Sequence, residues 1–252
     1  MRMSLAIHSY RGGTGKSTTA ANLATSLATL GFKVATVDLD LSSPGLHVIF
    51  NINQSMLNGS LNDFLYGKCS LEKCVLNITE NLGLHGGGEL LFIGSSMKPE
   101  EIANLMRKEY EENVFKIIGE ELQKRYSIDY LIFDTHPGLS EDTLLAVLST
   151  DLSLVLMRMD RQDISGTYLL TRVLRKLNRV CYILLNMVPP EIAKLPSLTD
   201  DISKYTGMPV LGLVPFYEEV LSNRSKGVFI LKHPQHPYTT QVYQIAKMIA
   251  SW

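Results

Sequence analysis

The chain has 252 residues, 45% of them hydrophobic, with 24 basic residues against 25 acidic and a formal net charge of −1. Such a chain holds one large α/β domain or two small ones with a sizeable core, and its balanced charge excludes a global field that would attract nucleic acid or anionic membrane. Three scattered cysteines, Cys69, Cys74 and Cys181, exclude a disulfide framework, and no apolar run approaches the length of a membrane span.

Met3–Ile7 is apolar and predicted as the first strand, with no charged leader before it, so a reduced cytoplasm is the expected compartment. Ser17–Leu30 carries apolar and small residues throughout and is predicted as a helix stopped at Gly31. Lys33–Val37 is a strand that delivers Asp38, Leu39 and Asp40 at its exit. The polar stretch Asn51–Ser60 reads as a loop. Gly83–Leu84 and Leu90–Ile93 flank a Gly86-Gly87-Gly88 turn and read as strand material. Glu100–Tyr126 is charge-rich and amphipathic, one long helix or two. Tyr130–Phe133 is an apolar strand ending in Asp134. Leu152–Met157 and Cys181–Leu185 are buried strands with the helix Ile164–Leu177 between them. Val210–Val214 is the last strand, and Tyr238–Ile249 a closing helix. Strands alternating with helices predict a single α/β domain over residues 1–252, doubly wound around a mainly parallel sheet, with ligands at the carboxyl ends of the strands.

One such end carries recognisable chemistry. Residues 8–18 read His-Ser-Tyr-Arg-Gly-Gly-Thr-Gly-Lys-Ser-Thr, directly after the first strand. Gly12, Gly13 and Gly15 place no Cβ in the way, so successive N–H groups, those of Thr14 and Thr18 included, can converge on phosphate oxygens. The helix start near Lys16 adds its positive dipole end. Lys16 supplies a cation for the outer phosphates, and the Ser17 hydroxyl suits Mg²⁺. The ordinary phosphate loop has a glycine where this chain has Tyr10, and Arg11 adds a cation before the glycines.

The loop resembles the deviant phosphate loop of the MinD/ParA family, Lys-Gly-Gly-x-Gly-Lys-Ser/Thr, with Arg11 in the place of the family's early signature lysine. The resemblance implies a P-loop ATPase fold, ATP and Mg²⁺ as ligands, and an ATP-sandwiched homodimer in which Arg11 reaches the partner's phosphates. Arginine keeps the charge and adds a planar fork suited to phosphate. Asp38–Leu46 then corresponds to the first switch, where Asp40 orients the hydrolytic water and Asp38 joins the metal site. Tyr130–Asp134 has the Walker B form, and Thr135-His136-Pro137-Gly138 is similar to the second switch. Asp134 would hold Mg²⁺ through water, and Gly138 would offer an N–H near the γ-phosphate. His136 is not expected to be catalytic. Asn186, after the strand at Cys181–Leu185, and Pro215 and Phe216, after the strand at Val210–Val214, would enclose the adenine. An asparagine can also simply cap a strand end.

For the family, slow hydrolysis awaits a partner. A positioning or partitioning role through a protein partner is the leading expectation. The alternative is an ATP-gated, non-specific DNA-binding protein, because Arg172, Arg175, Lys176 and Arg179 follow helical spacing and would share one face. That face is otherwise an ordinary solvated one. A metabolic transferase on the same loop is disfavoured by Arg11. Stable membrane anchoring is not expected, since Lys247 is the one cation between Tyr238 and Trp252.

Overall fold

Alternate side chains of the apolar runs go to opposite faces of one sheet, as extended backbone requires. The computed structural model describes residues 1–98, 100–101 and 113–252. The central strands are β1 (Met3–His8), β2 (Lys33–Leu39), β4 (Glu89–Ile93), β5 (Tyr130–Thr135), β6 (Leu152–Met157), β7 (Cys181–Val188) and β8 (Val210–Pro215). A short β3 (Val75–Asn77) precedes β4. The order across the sheet is β3-β4-β2-β5-β1-β6-β7-β8, and every pairing is parallel except β3 with β4.

One face carries α1 (Lys16–Thr29) and the last helix, Pro237–Ala250. Leu5, Ile7, Tyr130, Ile132, Leu154 and Leu156 pack there with Leu23 and Leu27 of α1. The intervening residues turn to the other face. Leu131 and Phe133 meet Phe115, Ile118 and Leu122 of the helix Val114–Tyr126. Ala6, Val155 and Met157 meet Leu170 and Leu174 of the helix Arg161–Lys176, and Ile202 of the helix Leu198–Thr206. This is the doubly wound α/β architecture. The strand ends of β1, β2 and β5 therefore stand side by side at one rim, where an open α/β sheet presents ligand-binding loops.

One expectation needs correction. Gly83–Leu84 is a turn, with Gly83 at φ +63°, and the strand that accompanies β4 is Val75–Asn77 instead. The helix expected from Glu100 is present over Val114–Tyr126, while its stretch 102–112 lies outside the described residues. Among the described residues no helix is long and apolar enough to cross a membrane.

The turn at Gly86–Gly88 has a packing reason. A Cβ on Gly88 would overlap the backbone oxygens of Ala28 and Phe32, where the turn lies against the end of α1. Backbone cannot move aside as a side chain can. Gly88→Ala is expected to destabilise the fold by about 1–3 kcal/mol, read as a lowered denaturant midpoint at constant slope.

Candidate functional site

The loop between β1 and α1 has the conformation its glycines permit. Gly13 and Gly15 take φ +75° and +85°, and Gly15 is the residue from which α1 starts. A Cβ on Gly15 would also lie 2.6 Å from Asn186 Nδ2. That amide donates to the Thr14 carbonyl at 2.8 Å, so the end of β7 fastens the loop from beneath. Tyr10 has its own account. Its ring occupies the space above Gly166, where a Cβ would collide with it, so the residue that replaces the usual glycine packs the loop onto the helix Arg161–Lys176.

Below the loop, strand register sets two carboxylates next to each other. Asp38 of β2 pairs with Asp134 of β5, and Ile7 of β1 pairs with Asp134 on its other side. Both carboxylates are fully buried. Burial pushes both well above the ordinary carboxylate range. Their proximity adds to the rise for Asp38, while the Ser17 hydroxyl and the Lys16 ammonium oppose it for Asp134. Lys16 is itself buried, which pulls it below its usual value against the attraction of Asp134 and Asp40. His8, buried at the end of β1, is pushed down to about 3 by desolvation first and Lys16 second, and is neutral. One of its ring nitrogens lies 2.9 Å from Thr135 Oγ1.

The two aspartates differ in their partners. Asp38 accepts the Gly45 and Leu46 amides on Oδ2, at 2.9 and 3.0 Å, and the Asp40 amide on Oδ1 at 3.1 Å. It therefore folds the loop after β2, where a metal ligand was the expectation. Among the described residues neither oxygen of Asp134 has a hydrogen-bond partner of ordinary geometry. A buried carboxylate left so is costly, and a cation at this point would compensate it. Asp134 and Ser17 thus fit a metal better than Asp38 does.

Asp40 and His136 meet from the loops after β2 and β5, at 2.8 Å between Oδ1 and Nδ1. Gly138, at φ +93°, donates its N–H to the Ser9 carbonyl at 2.9 Å, which ties the second loop to the exit of β1. Gly12, Gly13, Lys16, Ser17, Asp40 and His136 line one cleft. Asn186, Pro215 and Phe216 line a more apolar cleft with Met187 and Tyr217. Gly15 and Thr18 line both, so the two clefts adjoin at the start of α1.

With this geometry in place, comparison with known proteins is informative. A family model described as AAA domain, AAA_31, matches residues 2–186. The chain belongs to the AAA_31 family. An uncharacterized ATP-binding protein of Methanocaldococcus jannaschii is 28% identical over 98% of this chain and 87% of its own length. Two solved structures share the fold. The septum site-determining protein MinD of Pyrococcus horikoshii, complexed with Mg-ADP, superposes with a TM-score of 0.79 at 20% identity, over 99% of this chain and 96% of that one. A plasmid partition protein of Borrelia burgdorferi bound to AMPPNP gives 0.74 at 20% identity, over 100% and 99%. The MinD/ParA resemblance read from the phosphate loop is borne out in family and fold.

Within this AAA_31 chain, the arginines are arranged in ways the sequence did not disclose. Arg11 Nη1 lies 3.8 Å from both Asp160 and Asp163 and is 41% exposed. Arg158, at the exit of β6, binds the same pair, 2.8 Å from Asp163 and 3.5 Å from Asp160. Its guanidinium stands beside Gly13. Its place directly after an apolar strand was the one available signal. Arg179 departs from the expected basic face. The helix ends at Lys176, Asn178 turns left-handed at φ +53°, and the Arg179 guanidinium bonds the Thr150 carbonyl. Arg172, Arg175 and Lys176 remain together, beside Tyr168, Lys204 and Tyr205.

The Asn186 contact gives a direct test of how the loop is held. Asn186→Ala leaves the Thr14 carbonyl without its donor, a loss of about 1 kcal/mol. Thermal unfolding without nucleotide should show the decrease, with a weaker nucleotide affinity by calorimetry.

Proposed function

We propose that this chain is a Mg-ATP-dependent ATPase switch of the MinD/ParA type. It dimerises on ATP, acts in the cytoplasm, and positions or partitions a cellular component through a protein partner. The observation that carries the reading is the buried Lys16 beside a buried Asp134 that has no hydrogen bond of ordinary geometry among the described residues, beneath a glycine loop, in a cleft that adjoins the one lined by Asn186, Pro215 and Phe216. The AAA_31 match and the nucleotides held by the structural relatives support it.

In this reading the amides of Gly12–Thr18 cradle the phosphates, and Lys16 offsets the charge of the outer ones. Ser17 and Asp134 would hold Mg²⁺, which would neutralise phosphate charge, while Asp38 keeps the adjoining loop in shape. Asp40 orients the attacking water. Gly138 presents its N–H beside the same cleft. Arg11 leaves its ion pairs with Asp160 and Asp163 to reach the phosphates of a second subunit. The pair with Asp160 is half exposed and screened, and the buried Asp163 keeps its ion pair with Arg158 when Arg11 leaves, so the exchange costs little. The cleft lined by Asn186, Pro215 and Phe216 takes the adenine.

Lys16→Ala should lose ATP affinity while retaining the fold, because the backbone cradle stays and the embedded cation goes. Unchanged affinity by calorimetry on folded Lys16→Ala protein would refute the phosphate-loop assignment.

A second reading, ATP-gated DNA binding, is favoured by one feature. Arg172 stacks 5.7 Å over the Tyr168 ring, and Tyr168 lies 5.2 Å from Tyr205, within a basic patch that includes Lys204. The patch is small on a chain of net charge −1. Gel shifts with random duplex, with and without ATP, separate the readings. The parent should show no tight, salt-steep retention, and Arg11→Ala should lose ATP-driven dimerisation in light scattering. Tight ATP-dependent shifting that disappears in an Arg172/Arg175/Lys176 charge-removal variant would establish the DNA reading instead.

A further inference from the structure

His136 is two residues past Asp134 and 96 residues from Asp40, yet its ring closes onto the Asp40 carboxylate. Three donors converge on a single oxygen of that carboxylate. They are His136 Nδ1 at 2.8 Å, the Ser43 amide at 3.1 Å and the Ser42 hydroxyl at 3.2 Å. All three use Oδ1, so among the described residues Oδ2 keeps its lone pairs. The Asp40 amide is fixed in turn by Asp38 at 3.1 Å. The backbone is thus held from β2, and the carboxylate both from its own loop, through Ser42 and Ser43, and from the loop after β5, through His136 at the shortest distance.

Beyond Asp40 the ring meets the Ser42 hydroxyl, 3.2 Å from Nδ1, and the backbone that carries it has its own anchors. The His136 carbonyl accepts the Thr143 hydroxyl at 3.1 Å, and Thr143 stands in the first turn of the helix Glu141–Leu148, where Ser140 caps it. Two residues on, the Gly138 amide reaches Ser9. The ring is 43% exposed and the Asp40 side chain 15% exposed. A free aspartate at a loop exit samples several rotamers, whereas this one has a fixed direction.

We infer that His136 is a positioning residue for the hydrolytic carboxylate. Its Nδ1–H turns Asp40 so that Oδ2 takes the attacking water, and it makes that orientation depend on the loop after β5. The inference rests on the reading of Asp40 as the water-orienting group. When the second loop shifts, Asp40 loses its strongest side-chain contact, and hydrolysis falls while the phosphate cradle, which His136 does not bond, keeps the nucleotide.

Two measurements test it together. The first is imidazole nitrogen NMR of the full chain in mildly alkaline buffer. The neutral ring favours its proton on Nε2 when nothing holds it, whereas a carboxylate at Nδ1 selects the Nδ1–H form. The parent should show Nδ1–H for His136, and Asp40→Ala should return it to Nε2–H. The second is steady-state ATP hydrolysis, with ATP affinity by calorimetry, on the parent, His136→Ala and His136→Asn. His136→Ala should lower kcat roughly ten- to a hundredfold with ATP affinity and KM little changed. His136→Asn, whose amide N–H stands where Nδ1 stood, should recover most of kcat. A tautomer that ignores Asp40→Ala overturns the inference, and so does a parental kcat in His136→Ala. Failure of Asn to rescue also overturns it, by assigning the effect to Nε2. A parent that binds ATP without turnover would defeat the hydrolysis reading, and the tautomer comparison would still decide the Asp40–His136 contact.

Discussion

Two carboxylates on adjacent parallel strands, Asp38 and Asp134, have been taken out of water at the same level of the sheet. Each alone is expensive, and together they repel. The local structure is organised around that cost. Asp38 is relieved by three backbone amides of the loop that follows it, so its carboxyl oxygens become the means of folding residues 40–46. Asp134 is relieved by nothing comparable and retains an unmet demand for positive charge. Lys16 supplies some of it at the price of its own desolvation. The site therefore holds stored electrostatic tension that a cation and a polyphosphate would resolve together.

The phosphate loop owes its shape to contacts that are sterically demanding rather than chemically reactive. Asn186 reaches up from β7 to a carbonyl of the loop, and Tyr10 reaches down to Gly166. Both supports come from the β6–β7 side of the loop's own strand, one from the end of β7 and one from the helix that joins β6 to β7. A substitution in the helix Arg161–Lys176 at Gly166 would thus be felt at the phosphate cradle, through a ring and not through the backbone.

What was legible in the sequence follows from what local physics dictates. Glycines before Lys-Ser, at the end of a short apolar run, fix a loop whose requirements are set within a dozen residues. The strand at Leu152–Met157 was readable to the residue because it is buried on both faces. Other features are set only by tertiary register. Nothing near Asp38 indicates that Asp134 will be its neighbour, and nothing near Asp40 indicates His136. The side-by-side glycines misled at Gly83–Leu84, since a left-handed φ rather than a strand follows from Gly83. Val75–Asn77 has too few residues for any period to register. Arg179 kept helical spacing in the sequence and lost it in space, because spacing carries meaning only as far as the helix runs.

The edges of the sheet bear on how copies of the chain can meet. An open strand edge invites another chain to add itself by hydrogen bonding, which leads to aggregates without a fixed end. At one edge β3 offers only three residues, and it runs against its neighbour's direction. At the other, β8 departs from regular register with β7 and ends in Pro215, which has no N–H to give. Both borders are poor templates for a further strand. Copies of such a body are thereby discouraged from joining through their sheets, and the unbounded strand-on-strand growth that ends in aggregate is blocked at its two starting points.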